Sequence, residues 1–273
     1  MTPEQRQIAA ARQIGVNRPV DEVLELLRAL IDFDTTIAGK RKKAGCTIPL
    51  ATLASIIFFI VGGNTYLFPA LMIAAAVLCI AVAVAAIVLY LRFRKQDLSD
   101  NLGSAAVPFL ALLHEDMNPG DSLHVDIDLR PYEIAEKKKK ESDPYKKGVY
   151  YKIVDTLFVD PWFSGSVALA DGTKLHWKVI EHIVKREKTK KNPRGKIKSK
   201  TKIKRKTVAV VTAGFPAKHY AIKSADADER DEKRATVKLA RKLKTNSADS
   251  PAFGLLVDLI ADVYRRVKPA RSG

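Results

Sequence analysis

Lysine takes every second position of the stretch KIKSKTKIKRK, at Lys196, Lys198, Lys200, Lys202, Lys204 and Lys206. The side-chain period of a β-strand is two, so these ammonium groups share one face, and their chemistry is that of an anion-binding surface. Upstream lies KVIEHIVKREKTKK, residues 178–191, and between the two segments stands Asn192-Pro193-Arg194-Gly195. Asn first, Pro second and Gly fourth is the chemistry of a type I turn closed by a left-handed glycine and a bulge. That three-residue loop pairs Asn192 with Lys196, which sets Lys198 opposite Lys190, Lys200 opposite Lys188 and Lys202 opposite Arg186. The candidate anion-binding set is therefore Arg186, Lys188, Lys190, Lys196, Lys198, Lys200, Lys202, Lys204 and Lys206. Like charges directly opposite destabilise a sheet, on a cross-strand scale of about 0.2–1 kcal/mol per pair, so such a face prefers an anion upon it. A four-residue loop gives a competing register, with Lys200 facing Glu187 and Lys206 facing Glu181; the lysines are then neutralised inside the hairpin. Pro193 and Gly195 favour the bulged turn. Edge lysines also deter aggregation, a role that needs no partner.

Other residues offer less chemistry. Asp126 and Asp128 share a strand face with His124 and Arg130, and a D-x-D pair can hold a divalent cation. An outward polar strand face gives the same pattern. A metal-dependent enzyme built on this pair requires both carboxylates to converge with Asp155 or Asp160 in a cleft. His176 and His182 lie on the basic face of their strand but about 20 Å apart, too far for one metal ion. Asp160-Pro161-Trp162-Phe163 reads as a turn with core or interfacial aromatics. No nucleophile motif, P-loop or glycine-rich dinucleotide loop is present, and no catalytic residue, metal ligand or cofactor is assigned. The two cysteines, Cys46 and Cys79, both fall in apolar stretches, which leaves neither a disulfide framework nor a zinc site.

The elements that position the lysines begin with a membrane segment. From Ala44 to Leu91 there is no Asp, Glu, Lys or Arg. One span needs about 20 helical residues, so this run fits two, roughly 45–62 and 67–92. Gly62-Gly63-Asn64-Thr65 supplies turn chemistry between them, and Tyr66, Phe68 and Pro69 follow at an interface. Lys40, Arg41, Lys42 and Lys43 precede the first span and Arg92, Arg94 and Lys95 follow the second. Positive flanks stay cytoplasmic, so both termini face the cytoplasm. The polar residues ahead of the first span do not read as a cleaved signal peptide.

Pro19, Asp21 and Glu22 open an amphipathic helix whose stripe is Val20, Val23, Leu24, Leu27, Leu30 and Ile31. Ser99-Asp100-Asn101 offers caps for a helix near 102–116, ended by Pro119-Gly120. Val125, Ile127 and Leu129 then alternate as one strand face, and Lys137 to Lys140 read as a solvated loop. Strands are expected at about 149–159 and 162–170, a turn at Asp171-Gly172, and a long strand from Thr173. At the hairpin base Leu175, Trp177 and Val179 oppose Ala213, Val211 and Ala209, while the tip projects roughly 30 Å from Ile183 to Asn192. Residues 224–233 read as a charged linker and 234–243 lean toward strand. A last helix has Ser250 as cap, Pro251 at its first position and Phe253, Leu256, Val257, Ile260, Val263, Tyr264 and Val267 as its stripe, closing over the sheet.

The sequence thus reads as a membrane-anchored α+β protein. Residues 1–43 form a cytoplasmic helical segment, 44–93 a two-helix transmembrane hairpin, and 94–121 a helical connector. Residues 122–270 form a cytoplasmic antiparallel β-sheet domain with a C-terminal helix and a basic hairpin at 174–213. A formal charge of +17 and a pI near 9.8 point to anionic partners. The function read from this is non-enzymatic attachment, in which the hairpin holds acidic lipid headgroups, nucleic acid or an acidic protein at the membrane. Besides the Asp126/Asp128 enzyme, the alternative is a structural assembly subunit that pairs with copies of itself.

Overall fold

The computed structural model describes residues 2–64, 69–96, 98–222, 229–230, 234–245 and 252–270. Two compact units are present: Met1–Ala10 with Ala29–Leu98, and Ala11–Arg28 with Ser99–Gly273.

The first unit is helical. Following α1 (Pro3–Ala11), its long elements are the part of α2 (Val20–Asn64) from Ala29 onward and α3 (Pro69–Gln96). The expected amphipathic helix and first span are one continuous helix. The junction does not break it, because Lys and Arg at 40–43 are good helix formers and Gly39 costs only about 1 kcal/mol, and the helix continues through Pro49. Gly62 and Gly63 remain helical instead of turning, and Thr65, Tyr66 and Phe68 lie outside the described residues. Both helices are long and apolar enough to cross a membrane. Large apolar side chains point outward along them, with Leu50 68%, Phe59 67%, Leu71 66% and Leu78 65% exposed. A core helix of a water-soluble protein would bury these groups, so the arrangement suggests membrane association. Within the uncharged stretches of the two helices the buried positions are small: Ala51, Ser55, Ala76, Ala83 and Ala86. Ser55 Oγ donates to the Ala76 carbonyl at 3.2 Å, and Thr47 and Thr52 donate to the carbonyls of Lys43 and Ile48 at 2.9 and 2.8 Å. These bonds satisfy the hydroxyls within the helices. Cys46 and Cys79 are free thiols.

The second unit is α+β and is built on one large antiparallel sheet. Its strands are β1 (Gln13–Pro19), β2 (Ser122–Asp128), β3 (Lys138–Glu141), β4 (Tyr145–Lys147), β5 (Tyr150–Ala168), β6 (Lys174–Lys191), β7 (Ile197–Pro216), β9 (Glu229–Arg230) and β10 (Arg234–Thr245). They run in the order β1-β2-β5-β6-β7-β10-β9, with β3 and β4 pairing along β5. A small pair, β8 (Tyr220–Ile222) with β11 (Val267–Pro269), stands apart. β1 escapes the sequence reading because only Ile14 and Val16 alternate in it, between polar residues.

The expected break at Asp160-Pro161 is absent, and β5 runs through it. The register shifts between Pro161 and Phe163, a bulge that accommodates a residue with no N–H to donate. This shift turns Phe163 toward the buried face, and Trp162 is buried too, at 2% exposure. On that face Leu123, Val125, Ile127, Leu175, Trp177, Val179, Ala209, Val211 and Ala213 form the core. A π-helical turn at Leu102–Ala106, α4 (Val107–Glu115) and α5 (Ala252–Arg265) complete it. α5 packs on β7 and β10, and Phe109 of α4 meets the Phe163 and Trp177 rings edge-on, with centroids 5.9 and 5.3 Å away. Of the expected caps, Asn101 makes none because it is already helical; Ser99 Oγ accepts from the Asn101 N–H at 3.4 Å, and the Ser99 and Asp100 carbonyls accept from the Leu102 and Ser104 N–H groups. In α5 the buried stripe is Ala252, Leu255, Leu256, Leu259 and Val263, rotated from the expected one, and Val267 belongs to β11. Ser250 and Pro251 lie outside the described residues, as does the 224–233 linker apart from β9. Residues 234–245 are a strand.

Candidate anion-binding site

The turn at the tip has the chemistry its residues dictate. Asn192 N–H donates to the Lys196 carbonyl at 2.9 Å and Gly195 N–H to the Asn192 carbonyl at 2.8 Å. Gly195 sits at φ +77°, where a side chain is strained. The pairing that follows is Lys190↔Lys198, Lys188↔Lys200, Arg186↔Lys202, Val184↔Lys204 and His182↔Lys206. Glu187 and Glu181 face Thr201 and Thr207 on the opposite side of the sheet, so the neutralising register is not adopted.

The nine candidates are not equivalent. Arg186 is held by Asp155 through two hydrogen bonds of 2.6 Å each, and Asp155 also accepts from Tyr145 Oη at 3.2 Å. The Arg186 hydrogen bonds keep the Asp155 carboxyl below the usual carboxylate range, against the opposing effect of burial. Lys188 lies over the Tyr150 ring, 5.2 Å from its centroid, a cation–π contact. Lys190, Lys196, Lys198, Lys200, Lys202, Lys204 and Lys206 have no carboxylate partner among the described residues. Lys196 to Lys204 are exposed. The local charge is left for an outside anion or for water.

The tip does not project alone. β5 accompanies β6 as far as Lys152↔Thr189, and β10 joins β7 only from Arg205 onward. The lysines therefore line a corner of a broad sheet. Strand parity carries their face toward the middle of that sheet, where it stays polar. One transverse row of neighbours reads Asn17, His124, Ser166, His176, Thr212 and Lys238. The next reads Asp126, Ser164, Lys178 and Val210, and the two rows apart from Asn17 line a groove of about 470 Å³. Lys178 and Lys238 extend the basic face and were not singled out from sequence. For Lys178 the signal was available, since it has the same strand parity as Lys188 and Lys190; Lys238 needed the register of a distant strand.

The carboxylates requested by a metal enzyme are divided. Asp126 pairs with His124 at 3.0 Å in the open, and Asp155 is taken by Arg186. Asp128 and Asp160 do come together, but on an amine. Lys137 Nζ lies 3.2 Å from Asp128 and 2.8 Å from Asp160, and donates to the Arg130 carbonyl at 2.9 Å. Arg130 in turn binds Asp128 and Glu136. Lys137, expected in a solvated loop, is 3% exposed, in a short helical turn leading into β3. Burial pushes the Asp160 carboxyl up, with Lys137 opposing. Burial acts the same way on Asp128, but hydrogen bonds from the Arg130 side chain and backbone, with Lys137, overcome it and hold that carboxyl low. The amine takes the place a cation would fill, and among the described residues no group of three or more His, Cys, Asp or Glu side chains has metal-holding geometry.

No protein-family description, curated protein or solved structure matches this chain.

Proposed function

We propose that this chain is a membrane-anchored attachment protein, without catalysis of its own, whose lysine face holds an anionic surface. Acidic lipid headgroups fit that role better than nucleic acid. The observation that carries the reading is the register, which stacks Lys190 on Lys198 and Lys188 on Lys200 with no neutralising carboxylate between them. Each basic residue near an acidic leaflet is worth about 1 kcal/mol. The anchor reading is a two-span helical hairpin with both termini and the sheet unit cytoplasmic. In its favour, Ser55 bonds to Ala76, while a side-chain carbon at Gly45 would lie 3.5 Å from the Tyr90 ring, a reversed order of contacts. The Lys40–Lys43 and Arg92–Lys95 flanks carry the sidedness. Tethering keeps the lysines at high effective concentration near one leaflet. Base readout in nucleic acid favours Arg, Asn and Gln, whereas this face offers mostly Lys.

The test holds the chain in neutral-lipid nanodiscs and measures its capture by anionic and neutral vesicles over a salt series, with duplex DNA as competitor. Capture by anionic vesicles alone, weakening as salt rises and lost in the Lys198→Glu/Lys200→Glu/Lys202→Glu variant, is the expected result. Equal capture of the variant removes the lysine face from the function, and displacement by DNA at low concentration reassigns the partner.

A further inference from the structure

Within the helical unit, α2 and α3 leave a groove of about 400 Å³ between them. Its walls are apolar: Val82, Ala85, Leu89 and Phe93 come from one face of α3, at helical spacing, and Ala44 and Thr47 from α2. Thr47 adds no polar demand, because its hydroxyl is already spent on the Lys43 carbonyl at 2.9 Å. Lys40 and Lys43 stand at the mouth, one helical turn apart on the same face.

We propose that this groove is a binding site for one molecule of an anionic phospholipid, with the headgroup phosphate between Lys40 and Lys43 and an acyl chain along Val82 to Phe93. The inference rests on the spanning reading of the two helices and is independent of the lysine hairpin. Three features of the groove select the occupant. Length comes first: Val82 to Phe93 covers about 16 Å at 1.5 Å per residue, close to the roughly 15 Å of one leaflet's hydrocarbon. Polarity is divided as in a lipid, with the cationic groups confined to one end and an apolar trough beyond. Depth agrees too, because Lys43 immediately precedes the uncharged run that opens at Ala44 and Arg92 immediately follows the run that closes at Leu91. The mouth then lies at headgroup level while the trough lies in hydrocarbon. A basic recess between spans at the cytoplasmic interface is the geometry that retains anionic headgroups. A zwitterionic lipid could fill the trough, but its own cation would meet the lysine pair. A soluble anion would find no use for the apolar walls.

The full chain is reconstituted in bilayers of mixed phosphatidylcholine and phosphatidylglycerol, doped with photo-crosslinkable versions of each lipid in turn. Adducts are located by mass spectrometry after an alkaline carbonate wash. The expected outcome is phosphatidylglycerol adducts concentrated within 40–47 and 82–93, about tenfold over phosphatidylcholine. That preference is expected to fall toward unity in Lys40→Gln/Lys43→Gln. Ala85→Leu acts on the trough from an exposed position, so it can fill the groove without disturbing the helix contact; it is expected to lose the adducts while both lysines remain. Adducts spread evenly around both helices, or equal for the two lipids, overturn the site while the chain stays in the membrane. Recovery of the chain in the wash overturns the spanning reading and this site with it.

Discussion

Lys137 shows how a single side chain can be misread from its neighbours in sequence. In the run Lys137–Lys140, the last three lysines are exposed, on β3 rather than a loop and with Lys138 paired to Glu141, while the first is buried at 3% exposure between Asp128 and Asp160. Composition could not separate them, because the partners lie on β2 and β5, distant in sequence. Lys137→Met leaves the buried Asp160 carboxylate without its cation, while Arg130 still holds Asp128, and breaking a buried ion pair in this way costs about 3–5 kcal/mol. The cost is expected to depend on pH, with a definite sign. Burial already holds the Asp160 carboxyl above its unfolded value near 3.9 and, without the opposing amine, it moves further up; an acid with a raised pKa destabilises the fold only above that unfolded value. The deficit of the variant relative to the natural chain is therefore fully present at pH 7 and shrinks as pH falls toward 4. Thermal or urea unfolding of both proteins in the same detergent at the two pH values measures it. An equal deficit at pH 7 and pH 4 would sink the assignment of Lys137 as a charge partner.

At the scale of elements, periodicity and turn chemistry made the hairpin legible. The Asn-Pro-Arg-Gly tip, the pairing of β6 with β7 and the apolar base at Leu175, Trp177 and Val179 follow from residues adjacent in sequence. The buried face of the α5 helix was harder, since its flanking residues are also apolar and only packing against β7 and β10 decides between the stripes. β5 was harder still, because Asp-Pro is a turn signal that a bulge can absorb. Next to that bulge Gly165 carries a demand invisible in sequence: a side-chain carbon there would lie 2.4 Å from the Trp177 ring and 2.5 Å from the His124 carbonyl. Neither neighbour can yield, since one is a buried ring and the other is backbone. Gly165→Ala is expected to cost about 1–3 kcal/mol by overpacking, with the value at the upper end. Gly195→Ala meets nothing within 4 Å and carries only the strain of its left-handed backbone, about 1–2 kcal/mol. Unfolding midpoints rank the two substitutions, and a Gly195→Ala cost as large as that of Gly165→Ala would refute the close approach of Trp177.

For the molecule as a whole, the proposed function depends on which side of a membrane the lysine face meets. The sheet buries one face under helices and presents the other, carrying the lysines, with no helix of its own unit paired to it among the described residues. Such a face is useful only where an anionic surface is in reach, and an acidic leaflet is cytoplasmic. Under the proposed function, sidedness is therefore as important as the anchor itself. The Lys40–Lys43 and Arg92–Lys95 clusters flank the apolar run at both ends, and the sequence between the two helices carries no charge, so the positive-inside bias acts on both ends in the same direction. Reporters that are active only in the cytoplasm, fused in turn to the N-terminus and the C-terminus, are both expected to be active. Replacing Lys40, Arg41, Lys42 and Lys43 with Gln weakens one of the two biases and should produce a mixed population, whereas the natural chain gives one orientation. Opposite signals from the two termini would mean a single crossing, and the lysine face would then have no fixed leaflet to meet.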